Sequence, residues 1–565
     1  MQGKSGSRCL KIICKRLHVR DIISGMERRD FLSTGLAATL ATLAPRTSIA
    51  AEARIEILPN EPIGTIKPDI YGHFTEHLGG CIYDGIWVGE KSKIPNYGGI
   101  RKEFVDQLKK LKPPVIRWPG GCFADSYNWR DGVGPRDARP TRTNFWADNS
   151  ELRKAPDGPY KYDPNQFGSN DFARLCKMVG AEPYFAANLR SLPAKDFYEW
   201  IEYCNSPAGS TTLAKLREQG GSKDPFPVKF WGVGNESWGC GGNFTGDEYA
   251  IEFRKFTEWV PRFDVNLAFI ASGPNGFDYN WTRSFFSKLI ETGRQTLNRC
   301  YGTALHFYCG TTGKGNSTEF TKDEWSQLLA RSNRMEELIS NHWQIMGETD
   351  REHRVKLVVD EWGAWHHTDP SIGPGFLWAY YPTLRDALVS GITLDTFNRH
   401  ADKVVMGNAA QLINNIHTSF ITTEDKFTVT PVFHVFEMYA AHQGNTAIRC
   451  VITSPGQTIK RPGTAPESDR LGTLTGSCSM QGKSVVLTVV NSNPTEAIDA
   501  EIGVQGTRFT GVKATVLTDS KLNAHNNFAN PKAIEPKVDS KATVGAPMIY
   551  RFAAASVTKL ELQLA

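Results

Sequence analysis

Between residues 69 and 445 the sequence alternates short apolar runs with longer amphipathic segments, and this alternation constrains the fold more than any other feature. Strands that alternate with helices favour βα units and a parallel sheet. Eight such units over this length predict an α/β fold, a (β/α)8 TIM barrel with enlarged loops. The predicted strands are Asp69–Phe74, Val115–Pro119, Pro183–Asn188, Lys229–Val233, Leu267–Ser272, Ala304–Tyr308, Lys356–Asp360 and Val404–Ala409.

The pattern changes after residue 445. Residues 446–565 show short alternating runs separated by Gly, Pro, Asn and Ser, which is typical of an all-β sandwich. A strand-like stretch within 51–68 is predicted to pair with this second domain. We therefore predict a catalytic barrel over 69–445 and a jelly-roll-like C-terminal β-sandwich over 446–565.

Residues 1–50 differ in charge from the rest of the chain. They hold nine Lys and Arg against three acidic residues, so that the +5 of the whole chain falls to about −1 over 51–565. A near-neutral protein of this kind is not expected to bind nucleic acid. No stretch of 18 uninterrupted apolar residues occurs in the sequence, so we expect no membrane span.

The same N-terminal segment has the layout of an export signal. Arg28 and Arg29 precede a short, weakly apolar run over 31–44, and small residues follow at 48–50. This layout resembles a twin-arginine signal and predicts a periplasmic or extracellular protein. Residues 1–25 are unnecessary to such a signal, so translation is predicted to start at Met26.

Two carboxylates stand at the ends of predicted barrel strands. The fourth strand ends in Gly234-Asn235-Glu236 and the seventh in Asp360-Glu361-Trp362. Catalytic groups of such barrels cluster at this end, and two carboxyl groups there suit glycoside hydrolysis, with one protonated and one ionised. Opposed strands can place them ~5 Å apart, which is the spacing of a retaining mechanism. Asn235 is then positioned to bind the sugar 2-hydroxyl.

Seven segments stand in order along the predicted barrel: Gly72–Gly79, Arg117–Gly121, Tyr127–Pro135, Gly234–Glu236, Asp360–Trp362, Ala410–Asn414 and Thr430–Tyr439. Together they resemble the signatures of the α-L-arabinofuranosidases of glycoside hydrolase family 51. The resemblance covers about residues 71–445, and the Gly-His-Phe-x-Glu-His and Arg-x-Pro-Gly-Gly segments narrow it from the wider group of barrel glycosidases to this family.

The resemblance implies an exo-acting enzyme that removes terminal arabinofuranose from arabinan or arabinoxylan-type hemicellulose. It implies Glu236 as general acid/base and Glu361 as nucleophile, and it suggests a homo-oligomer. Positions that match family residues gripping the furanose hydroxyls or orienting the nucleophile are Glu76, Arg117, Asn235, Tyr308 and Gln411. Trp118, His306 and Trp362 are predicted, on position alone, to wall the pocket or support it.

One position departs from the family pattern. Cys122 follows Pro-Gly-Gly where the family commonly has Asn, and a thiol is a weak hydrogen-bonding group, so substrate preference is the property most affected. Irregular cysteine spacing without Cys-x-x-Cys predicts neither a zinc site nor a disulfide framework. His73 and His77 have metal-like spacing but no helix to align them, so no metal or cofactor is predicted.

Two other functions remain open from the sequence. An endo-acting β-glucanase or xylanase can use a similar barrel, since loop lengths decide between a pocket and a cleft. A catalytically silent carbohydrate-binding protein can also keep the fold, because fold alone does not settle activity. The presence of both Glu236 and Glu361 argues against the silent protein.

Overall fold

In the computed structural model, which describes residues 51–461 and 468–565, eight parallel strands close into a barrel in chain order. The strands are β1 (Gly72–Phe74), β2 (Val115–Trp118), β3 (Glu182–Ala187), β4 (Phe230–Val233), β5 (Ala268–Ala271), β6 (Cys300–Tyr308), β7 (Lys356–Gly363) and β8 (Val404–Ala410). β8 pairs with β1 and closes the sheet. The predicted barrel is confirmed, although β1 begins only at Gly72, because Pro68–Tyr71 forms a 3-10 turn.

Ten α-helices surround the barrel in the described residues. They are α1 (Lys102–Leu111), α2 (Ser169–Val179), α3 (Ala194–Asn205), α4 (Thr212–Gln219), α5 (Gly246–Thr257), α6 (Tyr279–Leu289), α7 (Lys322–Ser332), α8 (Met335–Thr349), α9 (Leu384–Arg399) and α10 (Pro431–Tyr439). None of them is both long and apolar enough to cross a membrane.

The helix α1 shows why these segments pack on the barrel. Phe104, Val105, Leu108 and Leu111 lie at helical spacing along one side and are buried, while the lysines between them stay exposed. Burial of this apolar stripe against the sheet, rather than helix propensity, supplies most of the stability of such a helix.

Alternation along the barrel strands decides which side chains reach the interior. In β2, Val115 belongs to the inner core of the barrel, whereas Ile116 and Trp118 belong to the core between strands and helices. Arg117 therefore points to the inside, as strand geometry requires. Because the strands are parallel, their C-terminal ends meet at one face of the barrel.

The second domain is a nine-stranded sheet that folds over one hydrophobic core as a β-sandwich. The strand Ala53–Thr65 is an interior strand of this sheet, antiparallel to Thr446–Thr453 and parallel to Ile498–Val504. The other strands of this sheet are Leu474–Gln481, Ser484–Asn491, Phe509–Thr518, Lys537–Asp539, Met548–Phe552 and Ser556–Leu564. The predicted C-terminal sandwich is thus confirmed.

A polar cluster lies between α9 and the sandwich. The buried carboxylate of Asp395 accepts hydrogen bonds from Ser477 Oγ at 2.6 Å, Thr488 Oγ1 at 2.5 Å and Tyr439 OH at 2.9 Å. Burial raises the pKa of Asp395 to about 7, against the effect of these hydroxyl donors. The barrel and the sandwich therefore share a packed, hydrogen-bonded boundary.

Candidate active site

Side chains from the C-terminal ends of the barrel strands surround a cavity of about 600 Å³. Residues from strand ends form its floor, and aromatic residues from the long loops form much of its wall. Its lining includes Glu76, Leu78, Gly121, Cys122, Trp146, Glu236, Trp238, Phe277, His306, Tyr308, Glu361, Trp365, Trp378 and Gln411. Both carboxylates singled out from the sequence thus face one cavity.

Glu361, at the end of β7, is a buried carboxylate held by strong donors. Arg117 Nη1 lies 2.8 Å from its Oε1, and the hydroxyl of Tyr308 donates to its Oε2 at 2.8 Å. Burial by itself would raise the pKa of Glu361, but the charges of His306 and Arg117 and the two hydrogen bonds lower it below its ordinary value. This carboxylate is therefore stabilised in its ionised form.

Arg117 connects several parts of the floor. Its Nη2 donates to Oδ1 of Asn235 at 2.6 Å, and its Nε forms an ion pair with Asp360 at 3.2 Å. Burial alone would lower the pKa of Arg117, but the charges of Asp360 and Glu361 raise it, so the guanidinium stays charged. Residues at the ends of β4 and β7 thus hold Arg117, and Arg117 in turn orients Glu361 and Asn235.

The last glycine of the Arg-x-Pro-Gly-Gly motif, Gly121, lies at the cavity where no side chain fits. A Cβ placed on Gly121 would stand 2.7 Å from Oε1 of Glu361, closer than a carbon atom can approach. The backbone of this loop therefore packs directly beside Glu361, as only glycine permits.

Glu236, at the end of β4, faces Glu361 across the cavity. The Nδ1 of His306 lies 3.0 Å from Oε1 of Glu236 and 3.5 Å from Oε2 of Glu361. A carboxylate oxygen of Glu236 lies within 4.8 Å of one of Glu361. Burial by itself would lower the pKa of His306, but the nearby carboxylates Glu361 and Glu236 raise it. His306 thus bridges two carboxyl groups that differ in their other neighbours.

Glu76 and Gln411 form another part of the cavity floor and are hydrogen-bonded to each other. Glu76 accepts hydrogen bonds from the backbone N–H of Phe123 at 3.0 Å, from Trp146 Nε1 at 3.2 Å and from Gln411 Nε2 at 3.1 Å. Burial and the charge of Glu361 raise the pKa of Glu76 to about 7, although the donors act in the other direction. Glu76 can therefore accept or donate a hydrogen bond near neutral pH.

Two of the predicted wall residues do not reach the cavity. Trp118 is fully buried against Phe172 and Phe185, in the core between β2 and the helices. Trp362 is buried in the same way against Phe397 and Phe436. Each follows an inward-pointing residue, so strand alternation turns it outward. Of the two roles predicted for these tryptophans, the wall is not what the structure shows, and support of the residues that line the cavity stays a prediction.

The tryptophans that do form the wall come from loops. Trp146, Trp365 and Trp378 form a continuous aromatic row, with ring centroids 5.2 Å apart for the Trp146–Trp378 pair and 4.6 Å apart for the Trp365–Trp378 pair. Trp146 lies in the long segment after β2 and Trp378 in the segment after β7. Sequence analysis missed Trp146 and Trp378 as wall residues because neither of these two stands at a predicted strand end.

A disulfide bond that the sequence did not reveal joins Cys122 to Cys240 beside Glu236. The cysteines are 118 residues apart, so their spacing carries no signal of the pairing. Cys122 therefore supplies neither a free thiol nor an amide at the position where the family commonly has Asn. The seven other cysteines in the described residues are unpaired.

The only metal-like groupings in the part of the chain that the structure describes coincide with this site. One consists of Glu236, His306 and Glu361, and the other of Glu236 with the two sulfur atoms of the disulfide. In the first, Arg117 already neutralises Glu361, and in the second the sulfurs are bonded to each other. The arrangement is therefore better suited to proton transfer and attack by a carboxylate than to binding a cation.

Comparison with known proteins gives two family matches. The α-L-arabinofuranosidase 1 domain matches residues 107–297, and the α-L-arabinofuranosidase C-terminal domain matches residues 360–556. The second match begins in β7 and continues into the sandwich. Together they include both Glu236 and Glu361.

Individual relatives match over nearly the whole chain. An intracellular exo-α-L-arabinofuranosidase of Bacteroides ovatus is 34% identical over 94% of this chain and 99% of its own length. An intracellular exo-α-(1→5)-L-arabinofuranosidase of Acetivibrio thermocellus is 29% identical over 87% of this chain and 95% of its own length. The crystal structure of a family 51 arabinofuranosidase from Xanthomonas axonopodis pv. citri superposes with a TM-score of 0.82 at 32% identity, covering 91% of this chain and 100% of that one.

These relatives correct the predicted location. The Bacteroides and Acetivibrio enzymes are both named intracellular, which contradicts the prediction of a periplasmic or extracellular protein. The twin-arginine segment on which that prediction rested lies within residues 1–50, outside the described residues.

Proposed function

Because this chain belongs to the α-L-arabinofuranosidases of glycoside hydrolase family 51, we propose that it releases terminal L-arabinofuranose from arabinan or arabinoxylan-type hemicellulose by double displacement. The observation that carries the mechanism is the distance between Glu236 and Glu361. One carboxylate oxygen of Glu236 lies within 4.8 Å of one of Glu361, which favours the short separation of retaining enzymes over the longer one of inverting enzymes. Retaining glycosidases have carboxyl groups about 5–5.5 Å apart, whereas inverting enzymes need about 6.5–9.5 Å.

In the first step, the carboxylate of Glu361 attacks the anomeric carbon while Glu236 gives its proton to the leaving oxygen. Arg117 and Tyr308 keep Glu361 ionised and aim it, because each binds a different oxygen. The bond from the anomeric carbon to the leaving oxygen breaks, and an ester to Glu361 forms.

In the second step, Glu236 takes a proton from a water molecule that attacks the same carbon. The ester bond breaks, Glu361 returns as a carboxylate, and arabinose leaves with its original configuration. His306 contacts both carboxyl groups, so it can stabilise the charge that moves between them.

The floor of the cavity is suited to a small ring with several hydroxyl groups. Glu76 and Gln411 form a hydrogen-bonded pair that lines the cavity, whereas Asn235 is buried directly before the lining residue Glu236. Arg117 already donates a hydrogen bond to Oδ1 of Asn235. The Nδ2 group of Asn235 lies 3.8 Å from Sγ of Cys240, which is a weak acceptor. The Nδ2 group is therefore left to donate to a sugar hydroxyl, which supports the proposed contact with the 2-hydroxyl.

The wall supports removal of single terminal residues. The aromatic row of Trp146, Trp365 and Trp378 rises along one side of the cavity, and Trp238 and Phe277 lie among the other wall residues. Such rings offer apolar faces on which the ring of a terminal sugar can stack. Family membership disfavours both the endo-acting glucanase or xylanase and the silent binding protein.

The proposal is tested with three aryl glycosides and one polysaccharide. We expect release of 4-nitrophenol from the α-L-arabinofuranoside, but not from the β-xylopyranoside or the β-cellobioside. Arabinan should yield free arabinose without oligosaccharides of intermediate length. Release from another glycoside without release from the arabinofuranoside would contradict the proposed substrate.

The stereochemistry is tested in buffer that contains methanol. Double displacement transfers arabinose to methanol with retention, so NMR should show methyl α-L-arabinofuranoside as the first transfer product. The methyl β-anomer would contradict a retaining mechanism.

A further inference from the structure

Asp125 is a buried carboxylate behind the active site, in the loop that follows β2. Its Oδ1 accepts the backbone N–H groups of Leu189 at 2.8 Å and Arg190 at 3.1 Å, and its Oδ2 accepts that of Asn235 at 2.9 Å. Asp125 does not line the cavity. One side chain thus joins the loops that follow three successive strands, β2, β3 and β4.

The loop after β4 needs such support because its backbone is strained. Gly234 has φ +80° and Glu236 has φ +39°, so a non-glycine residue occupies the left-handed region. Residues in that region persist only where the surrounding structure holds them, and they cluster at functional sites. The N–H that Asp125 binds belongs to Asn235, directly between these two residues.

The other side of the same turn is closed by backbone. The carbonyl oxygen of Glu236 accepts the N–H groups of Gly239 at 2.7 Å and Gly241 at 3.1 Å. A Cβ on Gly241 would stand 1.8 Å from the carbonyl oxygen of Asn235 and 2.8 Å from Oδ2 of Asp125. No room therefore remains at Gly241 for any side chain, and the turn packs directly on Asp125.

The disulfide bond provides a second connection between the same two loops. Cys122 lies three residues before Asp125, and Cys240 lies four residues after Glu236. Both sulfur atoms are 3.8 Å from Oε2 of Glu236. The disulfide thus borders the carboxyl group of Glu236. The backbone beside Glu236 is held by the hydrogen bond from the N–H of Asn235 to Asp125.

We propose that Asp125 is a positioning residue for Glu236, which it orients through the backbone N–H of Asn235, and that the Cys122–Cys240 disulfide is the second support of the same turn. This inference rests on the proposed acid/base role of Glu236. Asp125 touches neither the substrate nor the reacting atoms, so its effect is on the direction of a proton transfer and not on the attack by Glu361.

A kinetic signature separates this role from a merely structural one. Protonation of the leaving oxygen matters greatly for a poor leaving group and little for 2,4-dinitrophenolate, which departs without help. A misplaced Glu236 therefore impairs hydrolysis of poor leaving groups selectively. A loss of stability reduces the amount of active enzyme and lowers every rate by the same factor.

The test variant is Asp125→Asn, which keeps the shape of the side chain. Its oxygen can still accept from Leu189 and Arg190, but its amide then faces the N–H of Asn235, donor against donor. We expect kcat/KM for the 4-methylphenyl α-L-arabinofuranoside to fall about 10- to 100-fold, since small displacements of a catalytic group have effects of this size. For the 2,4-dinitrophenyl substrate the fall should be less than about 3-fold, because that leaving group needs little protonation.

Asp395→Asn is the matched control. Asp395 is equally buried and accepts three hydrogen bonds, but it lies at the boundary with the sandwich, away from the cavity. Its variant should lower Tm and change kcat/KM by the same factor for every leaving group.

The outcomes decide the inference. A fall in the Asp125→Asn variant that is equal across leaving groups would overturn it. If that variant does not fold, Cys240→Ser decides in its place, because it cuts the second support without changing a residue that lines the cavity. Selective loss with poor leaving groups would then support the inference, and an even response would overturn it.

Failure of the proposed function is recognised separately. If Glu236→Ala itself showed no dependence on the leaving group, the acid/base role would be wrong, and the inference about Asp125 would fall with it. If Glu236→Ala behaves as an acid/base variant but Asp125→Asn does not, only the inference about Asp125 fails.

Discussion

The surroundings of Glu236 and Glu361 differ although the two residues face one cavity. The side chain of Glu361 is 8% exposed and is bound by the cation of Arg117 and the hydroxyl of Tyr308. That of Glu236 is 20% exposed and is bordered by His306 and by the sulfur atoms of the Cys122–Cys240 disulfide. One carboxylate is thus held as an anion, and the other is free of any cationic arginine or lysine partner among the described residues.

These two environments are the ones that the proposed roles of nucleophile and acid/base require. A nucleophile has to be ionised, and burial next to Arg117 with a donor on each oxygen achieves this. A group that gives and takes protons needs access to the leaving group and to water, and the greater exposure of Glu236 provides it. In glycosidases such differences of environment separate the two roles.

The largest effect is expected from removal of the buried anion. Glu361→Ala should lower kcat for every arabinofuranoside by about 10⁴-fold or more, whatever the leaving group, because no ester can form. The measurement is release of substituted phenols under saturating substrate. Azide should restore some turnover of activated substrates to this variant, with the inverted glycosyl azide as product, because azide then makes the single attack that Glu361 would have made. A retained glycosyl azide from this variant would reverse the two roles.

Removal of the more exposed carboxylate should have a smaller effect that depends on the substrate. Glu236→Ala should lower kcat/KM by about 10²- to 10⁴-fold for poor leaving groups and much less for 2,4-dinitrophenolate. Azide enters the space left by the side chain and should partly restore turnover, with a retained glycosyl azide as product. An inverted azide would contradict the assignment.

The hydrogen bond from Tyr308 tests how the charge of Glu361 is maintained. Tyr308→Phe removes a donor to the carboxylate, so kcat/KM should fall about 10-fold, as is usual for a bond to a charged group. The pKa of Glu361 should rise towards its ordinary value, because that hydrogen bond is one of the causes that lower it.

The pH dependence then has a definite sign. Activity requires ionised Glu361 and is lost as pH falls through its pKa, so the acid limb of kcat/KM should move to higher pH in Tyr308→Phe. Tyr439→Phe is the control, since its hydroxyl bonds to Asp395 at the sandwich boundary. An unmoved acid limb in Tyr308→Phe would show that Arg117 and His306 maintain the charge without Tyr308.

The smallest effect on catalysis is expected from Trp118, which lies next to Arg117 in the sequence but away from both carboxylates. Trp118→Phe should cost about 1–3 kcal/mol of unfolding free energy through a cavity in the packed core, with KM unchanged. Trp146→Phe should do the reverse, raising KM several-fold with little change in Tm, because the hydrogen bond to Glu76 is lost. Thermal unfolding and substrate saturation curves distinguish the two outcomes.

Prediction from the sequence succeeded where the signal is local. The apolar runs marked all eight barrel strands to within a few residues, and the residues at their ends placed Glu236 and Glu361 on one face. For Trp118 and Trp362 it left open whether they form the wall or support it. Arg117 and Glu361, which precede them, point into the barrel, and the two tryptophans point into the core around it. Alternation along a strand was the available signal that could have separated them.

Local sequence patterns were enough to predict the α/β barrel, the C-terminal sandwich, the family and the two carboxylates, because hydrophobic periodicity and short motifs are properties of neighbouring residues. The folded chain was needed to show that Cys122 pairs with Cys240, that Asp125 reaches the backbone of Asn235, and that Trp146 and Trp378 share one wall. These partners are separated by about one hundred residues or more in the chain. Closure of the barrel brings their loops together, and no local pattern records which loop residues then meet.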